Sequence, residues 1–273
     1  MKIIDCFTFY NELDLLTYRL NILNDLVDYF VIVEATRTYM GNEKELFYLK
    51  NKNLYEKFKD KIIHVIVDDI PFAKPNINRG YLWNSGEQWE NEVFQRNCIS
   101  RGIRLIDDKL NNEDLIMIAD LDEIPDPEVL KKVKNNEITF ENTIKLSMDM
   151  YYYNLNTKFV DQWHRLILVK YDYYKNARMT CDDFKMSDPQ RIPNAGWHLS
   201  YFYDADYISN KIKNFSHQEL NNENFTNVNK IKDRINNFSD LFDRGFKYEK
   251  IPLDENKYLP PDVKLYLSKF ILI

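Results

Sequence analysis

Residues 114–127 read DLIMIADLDEIPDP, a short apolar run that delivers several carboxylates in quick succession. Asp120, Asp122 and Glu123 follow residues 115–119, a run too short for an ordinary helix and apolar enough for a buried central strand. Like charges gathered at the end of a buried strand repel one another and resist desolvation. A divalent cation removes that conflict, and ligation by oxygen alone suits Mg²⁺ or Mn²⁺. The carboxyl ends of strands are also where open α/β sheets take their ligands. The chemistry expected here is therefore a divalent metal that holds a phosphorylated ligand. A plainer use of the same stretch is structural. Asp126, Pro127 and Glu128 supply an N-cap, a first-turn proline and a first-turn acid, so Asp126 is assigned to starting a helix. An Asp-x-Asp pair alone is a weak signal; its place between a strand and a capped helix gives Asp120 and Asp122 their weight.

The elements that must position these acids show in the periodicity. Residues 2–10, 29–33 and 61–67 read as strands, with His64 a packed imidazole in the third. Residues 12–24 space Leu13, Leu16, Leu20 and Leu23 as a helix does, 54–59 form a short helix, and 87–101 form a longer one. A Pro/Asn/Gly-containing loop at 68–85 has the length of a functional lid. Strand and helix thus alternate over the first 135 residues, which implies βαβ units and a parallel sheet. The second half changes character. Residues 143–153, 163–171 and 195–203 read as β segments rich in Tyr and Met; 207–215, 228–242 and 263–270 read as helices. The fold expected is α/β: a mostly parallel, Rossmann-like sheet flanked by helices, a smaller β region and a helical C-terminal part. No linker interrupts it, so residues 1–273 are expected to form one domain, 1–135 binding the donor and 136–273 the acceptor.

Bulk properties exclude several classes. A net charge of −6 argues against a nucleic-acid partner held by bulk electrostatics. Cys6, Cys98 and Cys181 lie far apart and make neither a zinc pattern nor a disulfide framework, which points to a reducing compartment. No window reaches the length of a transmembrane segment, and Asp5 breaks the opening apolar run too early for a signal peptide. A soluble, cytoplasmic protein is expected. The 19 Tyr, 17 Phe and 4 Trp exceed what a core alone demands and suit a cleft where sugar rings stack.

Six segments, in order, carry a resemblance: IIDCFTFYNELDLLTYRL, VDYFVIVEATRTYMGNEKEL, FQRNCISRG, DLDEIPDP, GWHLSYF and KNFSHQE. Together they resemble glycosyltransferase family 17, from Ile3 to about Glu219. The chain is similar to the compact microbial or viral members of that family rather than to the membrane-anchored animal ones. The resemblance implies a GT-A-like fold, a nucleotide-sugar donor that is UDP-linked, transfer of N-acetylglucosamine to a glycan acceptor, a divalent metal (Mn²⁺ or Mg²⁺), and inversion in preference to retention.

With that resemblance the residues take expected roles. Asp122 binds metal directly; Asp120 binds metal through water, or binds the donor's ribose. Imidazole is a good Mn²⁺ ligand, so His198 in GWHLSYF is the further ligand expected from the second half, with His217 in FSHQE as the alternative. Inversion needs a base for the acceptor hydroxyl, for which Glu219 and Asp149 are the candidates. Glu34, Arg37, Arg96 and Asn97 join Asp120 in binding the donor. Trp163, Trp197 and Tyr152 form the acceptor platform. Glu123 is given a supporting role. Two other classes stay open: a nucleotidyltransferase acting on sugar phosphates, disfavoured because the first strand carries no glycine-rich phosphate loop, and a non-catalytic carbohydrate-binding protein, disfavoured by the βαβ first half.

Overall fold

The computed structural model of this protein describes residues 1–78 and 86–271. Among the described residues, twelve strands run in chain order: β1 (Ile3–Phe9), β2 (Tyr29–Ala35), β3 (Ile62–Val67), β4 (Leu115–Asp120), β5 (Glu123–Pro125), β6 (Thr143–Leu146), β7 (Met148–Tyr152), β8 (Thr157–Trp163), β9 (Ile167–Lys170), β10 (Arg191–Ile192), β11 (Gly196–Ser200) and β12 (Tyr248–Lys250). They form a seven-stranded sheet in the order β10-β6-β9-β4-β1-β2-β3 and a five-stranded sheet in the order β12-β8-β7-β11-β5. The fold is mixed α/β, as expected.

β1 to β4 are mutually parallel wherever they pair, with β1 in the middle and Thr8 level with Asp120. The connection from β1 goes one way, to β2 and β3, while β4 lies on β1's other side. Such a reversal of strand order opens a crevice at the carboxyl ends, between β1 and β4. Helices cover both faces. The Leu13–Leu23 helix packs with Ile3, Phe7 and Phe9 on one face of β1; the Ile99–Arg104 helix packs with Ile4 and Cys6 on the other. This two-period division of β1 explains why its apolar run is almost continuous.

Several elements differ from their sequence reading, for local reasons. The helix read at 87–101 breaks at Cys98 into Glu87–Asn97 and Ile99–Arg104. Gly102 then lies so close to β2 that an added Cβ would sit 2.4 Å from Val31 Cγ1. Residues 143–153 are two strands in two sheets, parted at Ser147, and 163–171 is likewise divided between β8 and β9. The helix read at 228–242 stops at Asn236: Asp240 accepts from the amides of Phe242 and Arg244 and turns the chain. The short helix at 54–59 is a 3-10 turn over Lys52–Phe58. Of the loop read at 68–85, residues 79–85 lie outside the described residues.

Asp126 does cap the Pro127–Lys134 helix, accepting from the Glu128 amide at 2.9 Å. Its other oxygen accepts from the Tyr258 hydroxyl at 2.8 Å, which ties the C-terminal segment to the same turn. Asp126→Ala should lower stability by about 1 kcal/mol from the lost cap, since the Tyr258 hydroxyl keeps the Asn194 carbonyl at 2.8 Å as an acceptor. Chemical denaturation measures this, and turnover of the folded variant should stay close to that of the parent. The three cysteines are buried and free, and burial raises each thiol's pKa, so none is poised as a nucleophile.

Candidate active site

The Asp120–Glu123 turn is held from beneath by a buried cation. Arg19, fully buried on the first helix, pairs with both oxygens of Asp5 in mid β1 at 2.6 and 2.8 Å. Its remaining nitrogen donates to the carbonyls of Asp120, Leu121 and Glu123 at 3.3, 3.1 and 2.6 Å. Asp5, which interrupts the apolar run of the first strand, is thus the counter-ion of the residue that shapes the turn.

Glu123 completes the brace. It is fully buried and accepts from the Asp120 amide at 2.7 Å, from Trp163 Nε1 at 2.6 Å and from Lys185 Nζ at 2.6 Å. Lys185, on the Cys181–Met186 helix, also reaches Asp120 at 3.0 Å, and Arg96 stands 3.8 Å from the other Asp120 oxygen. Burial opposes ionisation of Asp120, but Lys185 and Arg96 outweigh it and keep its pKa below the usual carboxylate value.

Asp122 points to a different set of partners. His198 Nε2 lies 3.5 Å from one oxygen and Lys211 Nζ 3.7 Å from the other. Burial again opposes the charge, and His198 and Lys211 overcome it, so Asp122 is held well below the ordinary range. His198 arrives on β11, which pairs antiparallel with β5 opposite Glu123. Gly196 makes that pairing possible: at φ +151° a Cβ would sit 2.3 Å from the Ile124 carbonyl oxygen. The Trp163 ring lies against the His198 ring, 4.7 Å between centroids.

These groups open into a cleft of about 1050 Å³ of empty space, counting its mouth, at the carboxyl ends of β1, β2 and β4. Thr8 and Phe9 line it from the end of β1 and Tyr10 and Glu12 from just beyond; Arg37, Thr38, Tyr39 and Lys44 follow β2. Glu92, Gln95 and Arg96 come from the Glu87–Asn97 helix, and Lys211 and residues 214–217 from the second half. Among the described residues, three of its lining side chains carry a buried polar atom with no partner: Thr38 Oγ1, Arg96 Nε and His198 Nδ1. Buried polar atoms are seldom left so, and here they mark groups available to a ligand.

Of the residues expected from sequence, the cleft gathers Arg37, Arg96, Asp120, Asp122, Trp163, His198 and His217. The others lie elsewhere. Glu34 is fully buried beneath β2's end, accepting from the Tyr48 amide at 3.0 Å and paired with His64 Nε2 at 3.0 Å; its charge is used inside. Asn97 accepts from the Asp182 amide and joins two helices. Asp149 is buried against Lys158 at 2.5 Å and Gln162 at 3.3 Å. Trp197 packs in the main core against Tyr258, and Tyr152 in a third apolar cluster beside Arg244. Glu219 does not line the cleft but bonds His217, which does. Sequence reasoning missed Arg19, Lys44, Lys185 and Lys211 as parts of the site. A lysine far along the chain carries no local sign of the carboxylate it will meet.

The sequence profile of glycosyltransferase family 17 matches residues 1–250, and the chain belongs to that family. It is a glycosyltransferase. No curated protein matches the chain. Among solved structures it is similar to a protein described as a glucose-1-phosphate thymidylyltransferase of Bacillus anthracis, in complex with sucrose. The two are 11% identical, the match spans 72% of this chain and 88% of that one, and the TM-score is 0.36. An overlay that loose carries no argument about this chain. Among the described residues, no helix is long and apolar enough to cross a membrane.

Proposed function

We propose that the cleft binds a UDP-sugar with Mn²⁺ or Mg²⁺ and transfers the sugar, N-acetylglucosamine, to a glycan hydroxyl with inversion at the anomeric carbon. The observation that carries this reading is the Asp122–His198 pair at the end of β4, 3.5 Å apart, in a cleft whose walls also supply Arg37, Lys44, Arg96 and Lys211. The nature of the sugar follows from the family likeness, not from any contact.

The residues present suit a divalent ion. Asp122 is kept ionised, and His198 Nε2 faces its carboxylate at 3.5 Å, so one ion could draw on both. Among the described residues, no three His, Cys, Asp or Glu side chains gather into a cage. A cation here would draw its remaining ligands from phosphate oxygens and water, as Mg²⁺ and Mn²⁺ commonly do. Bound, it would act as a Lewis acid toward the departing diphosphate.

The protein's own cations do related work. Lys211 is held charged against its burial by Asp122 and Glu12, so it adds positive charge where the diphosphate would lie. Arg37 donates to the Gly41 carbonyl and pairs with Glu43, which sets the loop after β2 beside the cleft. The Thr38 hydroxyl offers a donor or acceptor for ribose or base. Trp163, pinned by Glu123, offers an aromatic wall for a sugar ring.

Lys44 gives the reading a pH signature. Burial pushes its pKa down to about 8, against the pull of Glu34 and Glu12. Its folded value lies below the unfolded 10.5, so charging it costs stability below about pH 8, a cost that fades as pH rises toward 10.5. A bound diphosphate favours the charged lysine. Donor affinity should therefore hold below about pH 8 and fall above it, by up to about tenfold per unit, and Lys44→Met should flatten the profile. Calorimetry with UDP measures this; an affinity independent of pH across that range would remove Lys44 from the donor site.

The test of the reading as a whole is a donor screen: release of nucleoside diphosphate from a panel of UDP- and GDP-sugars, with and without Mn²⁺. Slow UDP release that requires Mn²⁺ is expected even with water as acceptor. Absence of turnover and of any thermal shift across the panel would favour a carbohydrate-binding protein instead.

A further inference from the structure

A second group of charges lies on the same carboxyl-end rim as the cleft, two strands further along. β6 runs in the same direction as β4, with the antiparallel β9 between them. Lys145 on β6 is level with Ile167 on β9, and Ile167 with Ile118 on β4, two residues before Asp120. Neighbouring strands stand about 4.8 Å apart, which sets Lys145 about 10 Å from the end of β4. Ile144 and Leu146 turn into the main core, so Lys145 turns to the other face, where the helix carrying Lys185 packs. Arg191 on β10 pairs with Lys145 on its far side, and Arg165 lies two residues before Ile167. His164 Nδ1 meets the Ser147 hydroxyl at 2.8 Å, where β6 passes into β7. The carboxylate beside them, Asp188, is exposed and paired with Arg191 at 2.5 Å.

Lys145 is only 2% exposed, yet among the described residues its ammonium group has neither an ion pair nor a hydrogen bond. Buried charges are normally paired. Burial and the nearby Arg165 push its pKa down to about 8, and Arg191 and Lys185 add to that push against the pull of Asp188. Arg165 donates to the Met186 sulfur at 3.6 Å, a weak acceptor. In a chain of net charge −6, cations gathered around an unpaired buried lysine make a place for an anion. We propose that Lys145, Arg165 and Arg191 hold an anionic group of the glycan acceptor, a carboxylate or a phosphate ester; its role as part of the acceptor rests on the UDP-sugar reading. Trp163, the aromatic wall of the cleft, is followed directly by His164 and Arg165, so a sugar stacked on that ring leads toward the cluster. The span from the end of β4 exceeds one sugar ring, so the acceptor is a disaccharide or longer. Two guanidinium groups and one ammonium group offer donors to every oxygen of either anion. The same charges left without an anion disfavour a neutral glycan in its place.

The experiment is calorimetry with UDP and Mg²⁺ filling the donor site. The probes are three disaccharides that differ at one carbon: cellobiose, its 6′-carboxylate and its 6′-phosphate. At least one charged disaccharide should bind about tenfold or more tighter than cellobiose, and which one does so tells a uronate acceptor from a phosphorylated one. Lys145→Met should erase that preference and leave the Kd for UDP unchanged. It removes an unpaired buried charge and keeps the length of the side chain, so it should melt no lower than the parent. Arg165→Gln, on the half-buried neighbour, decides the matter should Lys145→Met fail to fold. Trp163→Ala should weaken all three disaccharides together, because they share one wall. Equal binding of the three, or a preference for charge that survives both substitutions at the cluster, overturns the proposal. So does a preference untouched by Trp163→Ala, which would detach the anion site from the cleft. A parent protein that does not bind UDP refutes the donor reading, whereas one that binds UDP and shows no preference for a charged disaccharide refutes the anion subsite alone.

Discussion

Asp122→Ala is expected to lower Mn²⁺-dependent UDP release by about a thousandfold or more while the protein stays folded. Loss of a residue that holds the Lewis acid at the leaving group removes several kcal/mol of stabilisation, at about 1.4 kcal/mol per factor of ten. Stability should change little or even rise. Asp122 is desolvated, and its nearest charge partners, His198 at 3.5 Å and Lys211 at 3.7 Å, stand beyond ordinary hydrogen-bond distances. Lys211 keeps a second carboxylate, Glu12, after the substitution. Titration with Mn²⁺ in the presence of UDP would then show the two binding independently. A variant that retained full Mn²⁺-dependent turnover would remove Asp122 from the metal site.

The second large effect concerns Arg19, which touches no substrate in this account. Arg19→Met should destabilise the protein by about 3 to 5 kcal/mol, because it leaves Asp5 charged, buried and alone in mid strand. The double variant Asp5→Leu/Arg19→Met should recover most of that loss, since an apolar pair fits the same core face. It should not recover turnover. The carbonyls of Asp120, Leu121 and Glu123 would still lack their donor, and the turn that aims Asp122 would relax. Urea denaturation and UDP release on the two variants separate these effects. If the double variant were both stable and fully active, Arg19 would serve the core alone.

The part of the fold that was legible in the sequence is the part made by local pattern. The strands at Ile3–Phe9, Tyr29–Ala35, Ile62–Val67 and Leu115–Asp120 announce themselves as apolar runs, and their alternation with helices gives the parallel arrangement. The cap at Asp126 is local too. The second half was read less well because its ribbons cross between sheets: nothing in MDMYY or ILVK says which sheet each will join. The site divides the same way. Asp120 and Asp122 are visible because they sit beside a strand end. Arg19, Lys185 and Lys211 are brought to them across 101, 65 and 89 residues of chain (120 − 19, 185 − 120 and 211 − 122). Glu34 shows the reverse error. An acid that ends a strand looks like a ligand, but burial with His64 and the Tyr48 amide gives it an internal use.

Crystals soaked with Mn²⁺ and UDP, with data collected at the manganese absorption edge, provide the most direct measurement. An anomalous peak is expected between Asp122 and His198, in contact with the diphosphate oxygens and with Lys211 beside them. Nucleotide bound elsewhere, or a cleft with the Asp122 side chain still closed on His198 and no ion at saturating Mn²⁺ and UDP, would contradict the account.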